Sequence, residues 1–225
     1  MNSVAVNNNP GPWKENIKGT IKIVFMNCAG IKPHFEDIRI DLQLRHADMI
    51  QLLQTSLQDH DIEEDYELSG YNRSFIIKGN RKGLASYFEE EKFSIAAKIS
   101  SQFQIIKQKH EKLDVICIYR SQLGNSSLLL NNLQQLVDLE RVTIVIGDFN
   151  ACYRENTQNK VIQGLLHLGF KQLVQEPTHI RGRILDHAYI LDSSEQMTVA
   201  IERYSPYYTD HDAICISITD TPKDP

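Results

Sequence analysis

The run Val142-Thr143-Ile144-Val145-Ile146 is β-branched throughout and apolar but for Thr143, and it stops at Gly147-Asp148-Phe149-Asn150. A short apolar run bounded by a turn signal predicts a strand covered on both faces. Weaker runs of the same kind predict strands over 20–26, 48–53, 83–88, 93–99, 103–107, 113–119, 184–191, 197–202 and 213–218. Helical spacing appears three times. Phe35, Ile38 and Leu42 share a face over 35–46, and Leu129, Leu133 and Leu136 do so over 125–139. A third helix is expected over 160–168, with Gly169 as its C-terminal cap. This order holds too many adjacent strands for a doubly wound parallel sheet and too many helices for a pure sandwich. The expected class is α/β, with two mixed sheets facing each other and helices outside.

The chain has 225 residues, enough for one large domain or two small ones. Residues 1–18 are polar and contain Asn7-Asn8-Asn9-Pro10-Gly11-Pro12, which reads as a flexible leader. The domain is expected over 19–219, with 220–225 a tail, as if cut from a longer polyprotein. Apolar residues make up 41% and charged residues 24%, ordinary values for a globular protein. The net charge of −5 gives no support to a general nucleic-acid coat protein, but a metal-holding carboxylate cluster would itself lower the charge. Cys28, Cys117, Cys152 and Cys215 show no CxxC spacing and read as reduced structural thiols. No signal peptide is recognisable, and no apolar run approaches the ~20 residues of a membrane span. A soluble, intracellular, nuclear protein with no membrane partner is expected.

The chemistry-bearing residues fall at predicted strand ends. Asp148 and Asn150 follow the strongest strand; at strand-like spacing they point the same way, while Phe149 turns into the core. Gly147 allows a tight exit and close approach of a ligand. Gly, Asp and Asn are also ordinary turn formers, so a plain turn is the alternative. Thr209-Asp210-His211-Asp212 gathers two carboxylates and an imidazole just before the last strand. Asp186, in Arg183-Ile184-Leu185-Asp186-His187, is a carboxylate inside an apolar run and requires a partner, for which a histidine is suited. Asn27 ends the first strand, Tyr119 ends the strand over 113–119, and Thr178 sits in Glu176-Pro177-Thr178-His179.

In combination, GDFN, an LDH-containing strand and TDHD, in that order, make the chain resemble the endonuclease/exonuclease/phosphatase superfamily. The resemblance spans about 20–219 and is closest to the apurinic-like endonuclease domains of non-LTR retrotransposons and related mobile elements. It implies a four-layer α/β sandwich and a metal-dependent DNA endonuclease of nicking type, using Mg2+ or Mn2+ and acting on double-stranded DNA. By matching motif, Asn27 and Asn150 would orient the phosphate and Asp148. Tyr119 would hydrogen-bond a phosphate oxygen, and Asp148 would handle the attacking water. Thr178 would support the site, Asp186 would hold His211 cationic, and Asp210 would be a metal ligand.

One position departs from the family pattern. The second strand of such proteins ends in a metal-binding glutamate, and here Leu52-Leu53-Gln54-Thr55 places Gln54 there. An amide oxygen carries no net charge, whereas Mg2+ relies on carboxylates. Metal affinity and turnover are therefore expected to be severely reduced, and a catalytically silent nucleic-acid-binding domain is an alternative, as is a phosphatase of the same fold. Ala29, where cellular repair enzymes carry an acid, argues mildly against dedicated repair. DNA contacts are expected from Arg73, Lys78, Arg81 and Lys82 in one basic stretch and from Arg181 and Arg183 in another, with a solvated turn as the alternative for each. Tyr207 and Tyr208 would line the groove or pack.

Overall fold

The computed structural model describes residues 19–79, 82–155 and 158–222. The expected leader, with Trp13, lies outside the described residues. The last strand runs through Asp220, one residue into the expected tail.

Two six-stranded sheets carry the fold. The first contains β1 (Ile21–Asn27), β2 (Met49–Leu53), β3 (Asn72–Ile76), β4 (Leu84–Phe88), β11 (Met197–Tyr204) and β12 (Ala213–Asp220), in the order β11-β12-β1-β2-β4-β3. The second contains β5 (Ser94–Ser100), β6 (Phe103–Lys109), β7 (Leu113–Arg120), β8 (Val142–Asp148), β9 (Lys171–Gln172) and β10 (Asp186–Leu191), in the order β5-β6-β7-β8-β10-β9. Each sheet has one parallel pair at its centre, β1 with β2 and β7 with β8; every other pairing is antiparallel. Both sheets are thus mixed, as expected.

The central strands are buried on both faces because each sheet is covered twice. Ile23 and Phe25 of β1 point inward and pack with Val115, Cys117, Ile144 and Ile146 of the facing sheet. Val24 and Met26, alternating with them, point outward and meet Phe35 and Ile38 of α1 (Phe35–Ile40). On the far side, α2 (Ser126–Leu136) and α3 (Lys160–His167) lay Leu129, Leu133, Val161 and Leu165 over Ile116, Ile118 and Val145. Four layers result, helix–sheet–sheet–helix. Asn125 and Asn159 cap α2 and α3 by accepting the N–H groups of Leu128 and Val161. Gly169, at φ 91°, ends α3 as expected.

Three local expectations are corrected. The helix expected over 35–46 breaks at Asp41, whose Oδ1 accepts the N–H groups of Gln43 and Leu44 and starts a separate 3-10 turn, Leu44–His46. Leu44, not Leu42, is then the buried residue; Leu42 is 72% exposed. β3 went unrecognised because it is an edge strand of polar content, Asn-Arg-Ser-Phe-Ile. The two-residue β9 is too short to carry a periodicity.

Candidate functional site

The carboxyl ends of the two parallel pairs open toward the same edge of the sandwich. Asn27 closes β1 and Gln54 follows β2; Tyr119 lies at the end of β7 and Asp148 closes β8. Asp148 stands in register with Tyr119 on one side and with Asp186, the first residue of β10, on the other. His211 precedes β12 and forms an isolated bridge to His179. Side chains from six strand ends meet here, where loops can diverge without disturbing the sheets.

Asp148 is the hub. It is 1% exposed, and its carboxylate accepts the Asn27 amide at 2.9 Å, the Asn150 backbone N–H at 2.8 Å and the Asn150 amide at 3.2 Å. Strand alternation is not what brings Asp148 and Asn150 together, because Asn150 has left the strand at φ 47°. The left-handed turn folds its backbone and side-chain donors back onto Asp148. Phe149 is driven into the core as expected, stacked on His187 with ring centres 4.7 Å apart. Gly147 serves the scaffold and not a ligand: at φ 142°, a Cβ there would lie 1.8 Å from the Ile118 carbonyl oxygen of β7.

Asp186 finds the histidine partner its burial requires. Its Oδ2 meets His211 Nδ1 at 2.7 Å and accepts the Thr178 hydroxyl at 2.8 Å. Thr178 Oγ1 in turn accepts the N–H groups of Leu185 and Asp186. Burial works against a charged His211, but the Asp186 carboxylate outweighs it and lifts the imidazole to about 9. Burial, then the Asp186 charge, pushes Asp148 the other way from an ordinary carboxylate, up to about 7; His211 and the donors from Asn150 and Asn27 restrain it. One edge therefore holds a carboxylate that releases its proton near neutrality beside an imidazole that keeps one.

Gln54 sits at φ 56°, and its Oε1 accepts the Asn27 amide at 3.2 Å and the Tyr119 hydroxyl at 3.3 Å. Asp210 is exposed and bonded to His179, Nε2 to Oδ2, at 3.1 Å. Among the described residues two groupings bring three ligand-type atoms within 4.8 Å: His179, Asp210 and His211, and Asp148, Asp186 and His211. Neither fits a resident Mg2+. His179 Nδ1 accepts the Arg181 N–H, which leaves the proton on Nε2, facing Asp210. His211 Nδ1 is held by Asp186, Asp148 already accepts three hydrogen bonds, and the Gln54 oxygen accepts two.

Three further participants had no role assigned from the sequence, although Thr209 opens the TDHD run. His179 holds Asp210; Thr209 Oγ1 donates to the Asn27 carbonyl at 2.8 Å; and the buried Arg120 guanidinium binds the Phe149 and Gly124 carbonyls, each at 2.9 Å. For His179 and Arg120 the hint was adjacency to Thr178 and Tyr119.

The expected basic stretch divides. Arg73 lies on β3 opposite Tyr87, toward the end of β4 away from Gln54, and pairs with Glu64 at 3.6 Å and Glu67 at 3.8 Å. Those carboxylates compete for the guanidinium that was expected on DNA. Lys78 is exposed beyond β3, and the Lys82 carbonyl accepts the Ser56 N–H beside Gln54. Arg81 lies outside the described residues. Arg181 is exposed in the turn after His179, while Arg183 faces Glu155 at 3.6 Å. Tyr208 packs, stacked on His34, while Tyr207 stays exposed and bonds Asp37.

No family model matches the chain, and no curated protein sequence matches it. Solved structures do match. An AP endonuclease from Archaeoglobus fulgidus aligns at TM-score 0.69 and 17% identity over 87% of this chain and 98% of that one. The human Nocturnin catalytic domain aligns at 0.65 and 14% over 90% and 94%. The endonuclease domain of a telomere-specific non-LTR retrotransposon aligns at 0.65 and 12% over 89% and 98%. The chain thus has the α/β sandwich fold of endonuclease/exonuclease/phosphatase proteins.

Proposed function

We propose that this chain is a nuclease-type phosphodiesterase domain for DNA, of the mobile-element kind, whose metal position is disabled at Gln54. The observation that carries this reading is the convergence of Asp148, Asp186 and His211 within 4.8 Å, with Asn27, Tyr119 and Asn150 around them. Two of the similar structures are, by their names, an AP endonuclease and a retrotransposon endonuclease domain, which favours DNA over a soluble phosphate ester.

In the reaction so assigned, a water oxygen bonds to phosphorus as the bond to the 3′ oxygen breaks, leaving a 3′ hydroxyl and a 5′ phosphate. Asp148 accepts the water proton, a role suited to a carboxylate that titrates near 7. Asn150 and Asn27 fix its two oxygens. His211, kept cationic by Asp186, faces the charge that grows on the phosphate. Tyr119 holds the Gln54 amide through its hydroxyl. Gln54 withholds the carboxylate that a divalent ion would need.

Nicking of supercoiled plasmid tests this. Gln54→Glu with Mg2+ or Mn2+ is expected to convert supercoiled to open-circular DNA, and the unaltered chain to do so far more slowly. A Gln54→Glu protein that folds, binds either metal and leaves the plasmid intact would sink the nuclease reading.

A further inference from the structure

We propose that Gln54 makes this centre a metal-independent receptor for a phosphodiester anion, with Gln54 Nε2 donating to a phosphate oxygen. The inference rests on the DNA reading above and specifies how the chain holds its ligand.

The hydrogen bonds fix the orientation of the amide. Asn27 Oδ1 accepts the Ala29 N–H at 2.9 Å, so Asn27 Nδ2 must face inward, where it donates to Asp148 and Gln54. The Tyr119 hydroxyl reaches the same Gln54 oxygen. Two donors on one carbonyl oxygen engage both its lone pairs. A cation would have to displace one of them to bind there. The remaining group, Nε2, carries two hydrogens, has no acceptor among the described residues, and belongs to a half-buried side chain. An amide N–H cannot ligate a metal; it needs an acceptor. The acceptor this edge is otherwise shaped for is an anionic phosphate oxygen.

Charge points the same way. Asp148, Asp186 and Asp210 already stand around His211. A fourth carboxylate at position 54 would repel a phosphate until a metal neutralised it. Removing one unit charge a few ångströms from the ligand changes affinity by more than about tenfold at the effective dielectric of such a site. The neutral amide removes the repulsion and adds a donor in one substitution.

Fluorescence anisotropy of a labelled short DNA duplex decides the matter, with the unaltered chain, Gln54→Glu and Gln54→Leu each measured in EDTA and in Mg2+, after melting curves establish that all three are folded. The unaltered chain is expected to bind equally in both conditions. Gln54→Glu should bind about tenfold or more weakly in EDTA and recover with Mg2+. Gln54→Leu, which lacks both charge and donor, should bind more weakly than the unaltered chain in both conditions. Loss of binding in EDTA by the unaltered chain, or undiminished binding by Gln54→Leu, overturns the inference and leaves the nuclease reading standing. Failure of all three proteins to bind the duplex in either condition overturns both.

Discussion

His211 Nδ1 lies 2.7 Å from Asp186 Oδ2, and this contact joins the residues leading into β12 of one sheet to the first residue of β10 in the other. It sets the pH response of the fold. His211 is raised from 6.5 to about 9, so its contribution is fully present below 6.5 and is lost as pH rises through about 9. That loss is of the order of 3 kcal/mol for a buried group. Melting temperature is therefore expected to fall between pH 7 and 9.5, and Asp186→Asn should flatten that limb. An unchanged slope in Asp186→Asn would refute the assignment.

On the proposed reading, Asp148 governs activity on the acid side. In the restored Gln54→Glu enzyme, plasmid nicking is expected to rise through neutrality as Asp148 loses its proton and to fall as His211 loses its own. Asp148→Asn should lower the rate by about 10²–10⁴-fold while duplex binding persists. A rate profile flat across neutral pH would remove Asp148 from the role of base.

Gly147 is expected to tolerate no side chain. The Cβ of Gly147→Ala would overlap the Ile118 carbonyl, which belongs to a central strand and cannot move aside cheaply. A loss of about 4 kcal/mol or more in denaturant titration, or failure to fold, is the expected result. An alanine variant of wild-type stability would mean that β7 and β8 do not meet as described.

His179 acts through Asp210. His179→Ala removes the bond to Asp210 Oδ2 and the edge-on ring contact with His211, and keeps the Asp186–His211 hydrogen bond. In the Gln54→Glu background it is expected to raise the Mg2+ concentration needed for half-maximal nicking, with His179→Gln recovering part of the effect. Equal metal dependence in both variants would make His179 a structural residue only.

The expected basic residues should separate by salt dependence. Lys82→Ala and Arg181→Ala are each expected to lower the slope of log affinity against log salt by about 1, as lost phosphate contacts do. Arg73→Ala should leave it unchanged, since that guanidinium faces Glu64 and Glu67. A slope altered by Arg73→Ala would return the β3 edge to the DNA surface.

The α/β class, most strands, the two longer helices and the residues that meet at this sheet edge were legible in the sequence, because each rests on local information. A strand buried on both faces is mostly apolar, a packed helix repeats its leucines at helical spacing, and GDFN, LDH and TDHD are contiguous. Gln54 was equally visible, as an amide where the resemblance implies a carboxylate. What the sequence could not carry was whatever depends on a partner far along the chain. β3 is polar because it is an edge, a property of the sheet order. Leu42 and Leu44 exchange burial because Asp41 breaks the helix with its own side chain. Arg73 was expected on DNA, and only the fold places Glu64 and Glu67 beside it. The pairing of Asp186 with a histidine was expected; that Asp148 is pushed toward 7 and His211 toward 9 depends on burial and on charges brought together from separate strands. The same holds for Gln54. Its residue type was given by the sequence, but only Asn27 and Tyr119, folded onto its oxygen, decide that it presents a donor to the site.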